Sequence, residues 1–187
     1  MNFSNDRDLL LLEPNVFIDV PLLAQQRVQV SDGNLTGTTL TSASADFVSA
    51  KVGPGSVVLI AGQLHEVISR PDKHTLTVSL PRTSLAEAPI SATVHGSGLS
   101  VTSRTFAPQA SLVHDLLLTL LGIEPGTTHP TLNEDAIVSL GQMSRLESLG
   151  TLERVYSAAA ALVGDNDALY RRAREYRDRF QIGRAHV

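Results

Sequence analysis

Apolar and polar positions change their rhythm near Pro108. Before it, apolar residues alternate with polar ones or fall in short runs, the period of a strand; after it they recur every three or four residues, the period of a helix. Residues 56–61, 63–69 and 74–80 predict three strands, joined at Ala61-Gly62 and at Arg70-Pro71-Asp72-Lys73, where Gly and Pro-Asp supply turn geometry. Leu76, Val78 and Leu80 alternate with Thr75, Thr77 and Ser79, so one face of that strand packs and the other meets water. Residues 25–30 and 34–41 predict strands before this meander. Residues 90–95 and 99–106 predict two more after it, around Gly96-Ser97-Gly98 as a turn. Six or seven short strands with close turns point to a small antiparallel β-barrel or sandwich.

Beyond Pro108, Leu112, Val113, Leu116, Leu117, Leu120 and Leu121 predict a helix with a buried leucine face, ended by Gly122, Ile123 and Pro125. Residues 124–132 read as a linker. A long helix is expected from about Asn133 to Val163, striped by Leu149, Leu152, Tyr156, Ala159 and Val163, with Gly150 as a weak point or close-contact site. After Gly164, Asp165 or Asn166 caps a last helix carrying Leu169, Ala173, Tyr176 and Phe180, antiparallel to the one before. Near the start, Asp6 or Asn5 caps a short helix over residues 7–12 that Glu13-Pro14 stops.

The expected class is therefore α+β: a lead-in with a short helix over residues 1–22, a β-rich barrel-like domain over 23–107, and an α-helical region of three helices over 108–181. The last six residues, Ile182-Gly183-Arg184-Ala185-His186-Val187, match the translation of sequencing-adapter DNA, AG-ATC-GGA-AGA-GCA-CAC-GTC, with AG completing the codon of Gln181. Residues 182–187 are expected to be non-native, to fray, and to mark the cut end of a longer reading frame.

With 187 residues the chain suits one domain or two small ones. It has no cysteine, which excludes disulfides, thiolate metal sites and a cysteine nucleophile. A net charge of −4 gives no bulk attraction to nucleic acid or to an anionic membrane. The apolar runs at 9–12 and 112–121 are too short or too interrupted for a signal peptide or a membrane span, so a soluble protein is expected.

Candidate chemistry is sparse. His65-Glu66 resembles the start of a zinc-protease motif, but Ser69 stands where the second His is required, and in a strand the two side chains point to opposite faces. His114-Asp115 diverge by about 100° on a helix and read as a solvated edge. His74, His95 and His129 fall in a turn, a strand end and the linker, without convergent spacing. Gly53-Pro54-Gly55-Ser56 and Gly96-Ser97-Gly98 lack phosphate-loop spacing, and neither forms Gly-x-Ser-x-Gly. No catalytic residue, metal, cofactor or small-molecule substrate is expected. Arg171, Arg172, Arg174, Arg177 and Arg179 are interleaved with Glu175 and Asp178, and the pairs Glu175–Arg179 and Arg174–Asp178 have salt-bridge spacing. This arginine run reads as a solvated face, with docking onto an acidic partner or nucleic acid as the sharper alternative. Tyr176, Phe180, Arg172 and Arg177 are the candidate interface residues, being types enriched at interface hot spots.

The strings Arg7-Asp8-Leu9-Leu10, Leu12-Glu13-Pro14, Ala45-Asp46-Phe47, Thr105-Phe106-Ala107-Pro108-Gln109 and Ala173-x-x-Tyr176-Arg177-x-Arg179-Phe180 span most of the chain. In them the sequence resembles proteins of the structural gene clusters of tailed bacteriophages and prophages. That resemblance implies a non-enzymatic virion subunit of head-completion or head–tail connector type, repeated in a ring with portal or capsid partners, in the virion or the host cytoplasm. It carries over no binding residue. Two other readings stand beside it: a monomeric β-barrel binding module using residues 62–66 and 70–73 as recognition loops, and, least favoured, an enzyme using scattered His and carboxylate groups.

Overall fold

The computed structural model describes residues 2–20, 25–124, 133–161 and 168–185. The expected caps Asp165 and Asn166, most of the linker and His129 lie outside the described residues. The chain divides into two compact units, one of residues 9–105 and one of residues 1–8 with 106–187. The first eight residues thus belong with the helices rather than with the lead-in to the barrel.

Residues 9–105 build a closed barrel of six antiparallel strands, as the strand pattern predicts. These are β1 (Gln26–Thr36), β2 (Thr39–Thr41), β3 (Val57–Ile60), β4 (Gln63–Asp72), β5 (Thr75–Ser79) and β6 (Gly96–Arg104), in the order β1-β2-β5-β4-β3-β6 and back to β1. Alternation explains the closure: Val58, Ile60, Val67, Leu76, Val78 and Val101 turn one apolar face inward, and Phe47, Val52 and Ala92 from the connections join the same core. Closing the sheet also removes its edges. The segments 25–30 and 34–41 are not two separate strands. Most of them is the single long β1, whose pairing with β6 shifts around Val30 and Gly33. Gly33 is required there, because a Cβ would lie 2.5 Å from Val101 Cγ2 and 2.9 Å from the Leu99 carbonyl.

Two other expectations need correction. Residues 90–95 form no strand: Pro89 precedes them, and the Ile90 N–H donates to Ser79 Oγ (2.8 Å) rather than into a ladder. Gly96-Ser97-Gly98 instead opens β6, with φ of 125° and 71° at the two glycines. The turn expected at 70–73 is displaced, since β4 continues to Asp72 and Arg70 donates to the carbonyls of Phe47 (3.1 Å) and Val52 (2.8 Å). The β3–β4 hairpin turns on Ala61 and Gly62 as expected, both with positive φ (47° and 86°). One turn of helix, α2 (Val16–Asp19), buries Phe17, whose carbonyl accepts from Arg104 Nη1 at 2.8 Å.

The second unit contains the start of α1 (Asp6–Leu12) and the whole of α3 (Ala107–Leu120), α4 (Leu140–Ala160) and α5 (Ala168–Arg184). Asn5 is the cap of α1: its Oδ1 accepts the N–H of Arg7 (2.9 Å) while Asp8 Oδ2 accepts the N–H of Asn5 (2.9 Å), a reciprocal box. The long helix begins later than expected, at Leu140. Residues 134–136 form a single 3-10 turn, and Ile137 is extended (φ −78°, ψ 112°). The α3 leucine face also differs. Ala110, Val113, His114, Leu117 and Leu118 face inward, which leaves Leu112 (56% exposed) and Leu120 (51% exposed) on the surface. Apolar residues cover more than half of this helix, so the inward face is chosen by His114, whose imidazole finds a buried partner there.

Gly150 is the close-contact site, since a Cβ on it would sit 2.7 Å from Val113 of α3 and 2.9 Å from Phe180 of α5. The last helix does not fray at residue 181. It continues through Arg184, with the Ala185 N–H still bonded to the Gln181 carbonyl (3.2 Å), because a helix propagates by adding one backbone bond per residue. No helix among the described residues is long and apolar enough to cross a membrane.

Candidate interaction surfaces and buried polar centres

In the helical unit, chemistry-bearing side chains converge at one place. Glu147 on α4 is 0% exposed, and its carboxylate accepts the N–H groups of Phe3 (3.1 Å) and Ser4 (2.8 Å), the Ser4 hydroxyl (2.7 Å) and His114 Nδ1 (2.9 Å). His114 also stacks obliquely on Phe3, with ring centroids 4.4 Å apart. Its Nε2 lies 3.5 Å from Glu134 Oε1, without hydrogen-bond geometry. His114 is therefore not on the solvated edge expected for it. The serine, histidine and glutamate do not form a nucleophile and base, because Ser4 donates to the carboxylate and not to the imidazole. The arrangement is a four-donor clamp on the N-terminal segment. Four donors compensate one buried carboxylate whose desolvation is otherwise costly.

The candidate interface residues sit on the α4–α5 pair. Tyr176 and Phe180 are buried in the unit's own core, because positions 173, 176 and 180 share the face of α5 that packs inward. Tyr176 stacks nearly parallel on Tyr156 (5.8 Å between centroids, 3°). Arg172 lies over the Tyr156 ring (5.6 Å) and donates to its hydroxyl (3.0 Å), and Arg179 lies over Tyr176 (5.8 Å). Arg177, half exposed, meets Glu153 at 3.5 Å. Of these four, Arg177 is the side chain most open to a partner. Of the two expected salt bridges within the helix, Glu175–Arg179 forms at 3.5 Å, and among the described residues no Arg174–Asp178 ion pair does.

The barrel unit has two polar centres that no sequence spacing announces. His65 faces the barrel core, level with Val58 in the register and two residues from Val67, and is 0% exposed. Its Nδ1 bonds the Gln63 carbonyl (2.9 Å), while Nε2 has no hydrogen-bond partner among the described residues. Burial holds its pKa below the ordinary 6.5, partly opposed by that carbonyl. Glu66 points to the opposite face, as strand alternation requires, and is buried against Arg82. Its Oε1 accepts Arg82 Nε (2.6 Å) and the Arg82 backbone N–H (3.1 Å).

The same arginine organises the loop that follows β5. Arg82 Nη1 donates to the Glu87 carbonyl (2.6 Å), Thr83 Oγ1 to the Glu87 carboxylate (2.5 Å), and the Ala86 N–H to Ser84 Oγ (3.2 Å). The Thr83 hydroxyl is the main cause that keeps the Glu87 carboxyl below its usual pKa range. Leu80 N–H donates to the Ile90 carbonyl (3.0 Å), so the loop leaves and returns at one point. It is a compact Ω-loop. At its outer part Leu85 is 72% exposed.

Glu66 and Arg70, placed in the recognition loops of the binding-module reading, are thus engaged in bonds within the barrel unit. Among the described residues, no three His, Asp or Glu side chains are grouped to hold a metal ion. The chain matches no protein-family model, no curated protein and no solved structure at a significant level.

Proposed function

We propose that this chain is a non-enzymatic assembly subunit, of the kind that completes the head or joins head to tail in a tailed bacteriophage, and that it works as a ring of identical copies packed side by side. The sequence resemblance supplies the class. The observation that carries the reading is a division of labour between interior and surface. The acid, base and hydroxyl groups that converge, Glu147, His114 and Ser4, are buried and spent on holding the chain to itself, whereas large apolar side chains such as Leu85, Leu112 and Leu120 stand in solvent. Leu112 and Leu120 lie along one line of α3, and exposed apolar surface of that kind favours association with another protein surface.

Sedimentation velocity across a range of protein concentrations tests the reading, together with mixing against any portal or capsid protein that the DNA around this gene is found to encode. A ring-forming subunit sediments as a defined oligomer or binds one of those partners. A chain that stays monomeric at every concentration and binds neither would end the proposal.

A further inference from the structure

We propose that the cleft between α4 and α5 binds a short acidic segment of another protein, with one apolar side chain in the cleft and a carboxylate on the arginines of its rim. The cleft follows from side-chain size. Tyr156 and Tyr176 stack nearly parallel across the two helices, 5.8 Å between centroids, and this pair sets how closely the helices approach. One turn further along, at Ala160 and Ala173, the side chains are single methyl groups, too short to fill the same separation. The result is an open cleft of about 230 Å³ floored by these two buried alanines. A cavity of about 150 Å³ takes a benzene ring, so there is room for one phenylalanine or leucine side chain.

The rim decides the charge of the occupant. Tyr170, Arg174 and Arg177 share one face of α5 with Ala173, at spacings of three and four residues, and line the cleft from that side. On the α4 side stands Ser157, whose hydroxyl donates to Glu153 Oε1 at 3.2 Å. Arg177 reaches that same oxygen only through Nε, at 3.5 Å, and Arg174 forms no ion pair among the described residues. Of the acids on α5, Glu175 is paired with Arg179 and Asp178 does not line the cleft. Two guanidinium groups thus share one carboxylate, which leaves the rim positive on a chain whose net charge is −4. Arginine and tyrosine around an apolar floor are the residue types that dominate protein contacts. A nucleic-acid backbone fits less well, because it brings no hydrocarbon group to the floor and, as a continuous polyanion, is repelled by Glu153, Glu175 and Asp178 around the rim.

The full chain, isotope-labelled for NMR, is titrated with blocked pentapeptides Ser-Glu-X-Glu-Ser, where X is Phe, Leu or Ala, and with a short oligothymidine. The Phe and Leu peptides are expected to move the amide signals of residues 157–161 and 170–177 to saturation. The Ala peptide is expected to bind about 10-fold more weakly or worse, through loss of one buried side chain. Arg174→Glu is expected to weaken the Phe peptide by about 3- to 10-fold at low salt and by less at high salt. Ala161→Leu, which crowds the mouth of the cleft from an exposed position, is expected to remove the preference for Phe over Ala while Arg174 is untouched. Both variants change exposed positions, and thermal melting confirms that they fold. Equal binding of the Ala peptide, an affinity that Arg174→Glu leaves unchanged, tighter binding of the oligothymidine, or no saturable shift in this cleft with any peptide would overturn the site. Each of these results leaves the ring reading standing.

Discussion

The Glu147 carboxylate accepts a hydrogen bond from His114 Nδ1 at 2.9 Å across 33 residues of sequence, with both side chains shielded from water. That bond completes a set of four donors on one carboxylate, two of them the backbone N–H groups of Phe3 and Ser4. Each carboxylate oxygen accepts two of the four donors, so Glu147→Gln, which replaces one oxygen by an amide that can only donate, leaves two donors facing another donor. A buried polar group without its partner costs about 1–3 kcal/mol, and more where a charge is lost. Glu147→Gln is expected to lower the stability to urea by about 2–4 kcal/mol and to raise amide exchange at Phe3 and Ser4 before it does so in the barrel. Ser4→Ala, which removes one donor and leaves the carboxylate with three, is expected to cost about 1 kcal/mol. Equal losses in the two variants would contradict the clamp.

His65 gives the barrel a pH dependence whose sign is fixed. Its folded pKa lies below 6.5, chiefly through burial, whereas the unfolded chain takes up the proton near 6.5. Between those two values the unfolded state binds more protons, so stability rises with pH. The full contribution is present above 6.5 and is lost as pH falls below it toward the folded pKa. The slope cannot exceed one proton, about 1.4 kcal/mol per pH unit. Urea midpoints of the parent and of His65→Leu, measured at pH 7.5 and 5.5, should show a smaller drop in the variant. A nitrogen-detected NMR titration of the parent should show His65 in its Nδ1–H tautomer in the folded state, still neutral just below pH 6.5. Identical pH profiles in parent and variant would remove His65 as the cause.

Gly150 is the point where α4 has no room for a side chain. Ala in its place gains about 1 kcal/mol of helix propensity. Against this, its methyl would stand 2.7 Å from Val113 and 2.9 Å from Phe180, both in the packed core, and overpacking of that kind costs about 1–3 kcal/mol. The two terms oppose, and the crossing decides the sign. Gly150→Ala is expected to be destabilising by about 1–2 kcal/mol, with recovery in the double variant Gly150→Ala, Val113→Ala. Calorimetric melting of the three proteins tests this, and a raised melting temperature for Gly150→Ala would show that the helices separate freely.

How much of this was written in the chain depends on distance along it. The alternation around Leu76 and Val78 and the turn at Ala61-Gly62 are local signals, and they yield the barrel's central strands. Gly150 was legible too, since a glycine inside a helical stripe has few reasons beyond close approach. The His114 environment was not, because Leu112, Leu116 and Leu120 compete with Val113 and Leu117 for the inward face. The choice between them is made by Glu147, from another helix. Arg82 and Glu66 are hidden for the same reason: their pairing depends on how the loop after β5 returns, and nothing in the spacing of 16 residues signals it. Tyr176 and Phe180 were identified as a pair on one face, yet the sequence does not say whether that face meets the chain's own α4 or another molecule.

Ala61 holds a backbone conformation that its side chain disfavours. It occupies the first position of the two-residue β3–β4 turn with φ 47°, followed by Gly62 at φ 86°, a pair of positive values that favours Asn-Gly. An alanine in this left-handed region gives up roughly 1–2 kcal/mol. Asn tolerates the region better, and the position is exposed, so the longer side chain meets no packed neighbour. The Ala61 N–H, which bonds the Ser100 carbonyl at 2.9 Å, is unchanged by the substitution. Ala61→Asn is expected to stabilise the barrel by about 0.5–1 kcal/mol. Gly62→Ala, placing a second Cβ in the same region, is expected to destabilise it by about 1 kcal/mol or more. Urea unfolding followed by circular dichroism should show the two midpoints moving in opposite directions with the slope of the transition unchanged. Midpoints moving in the same direction would mean that the hairpin does not turn on these two residues.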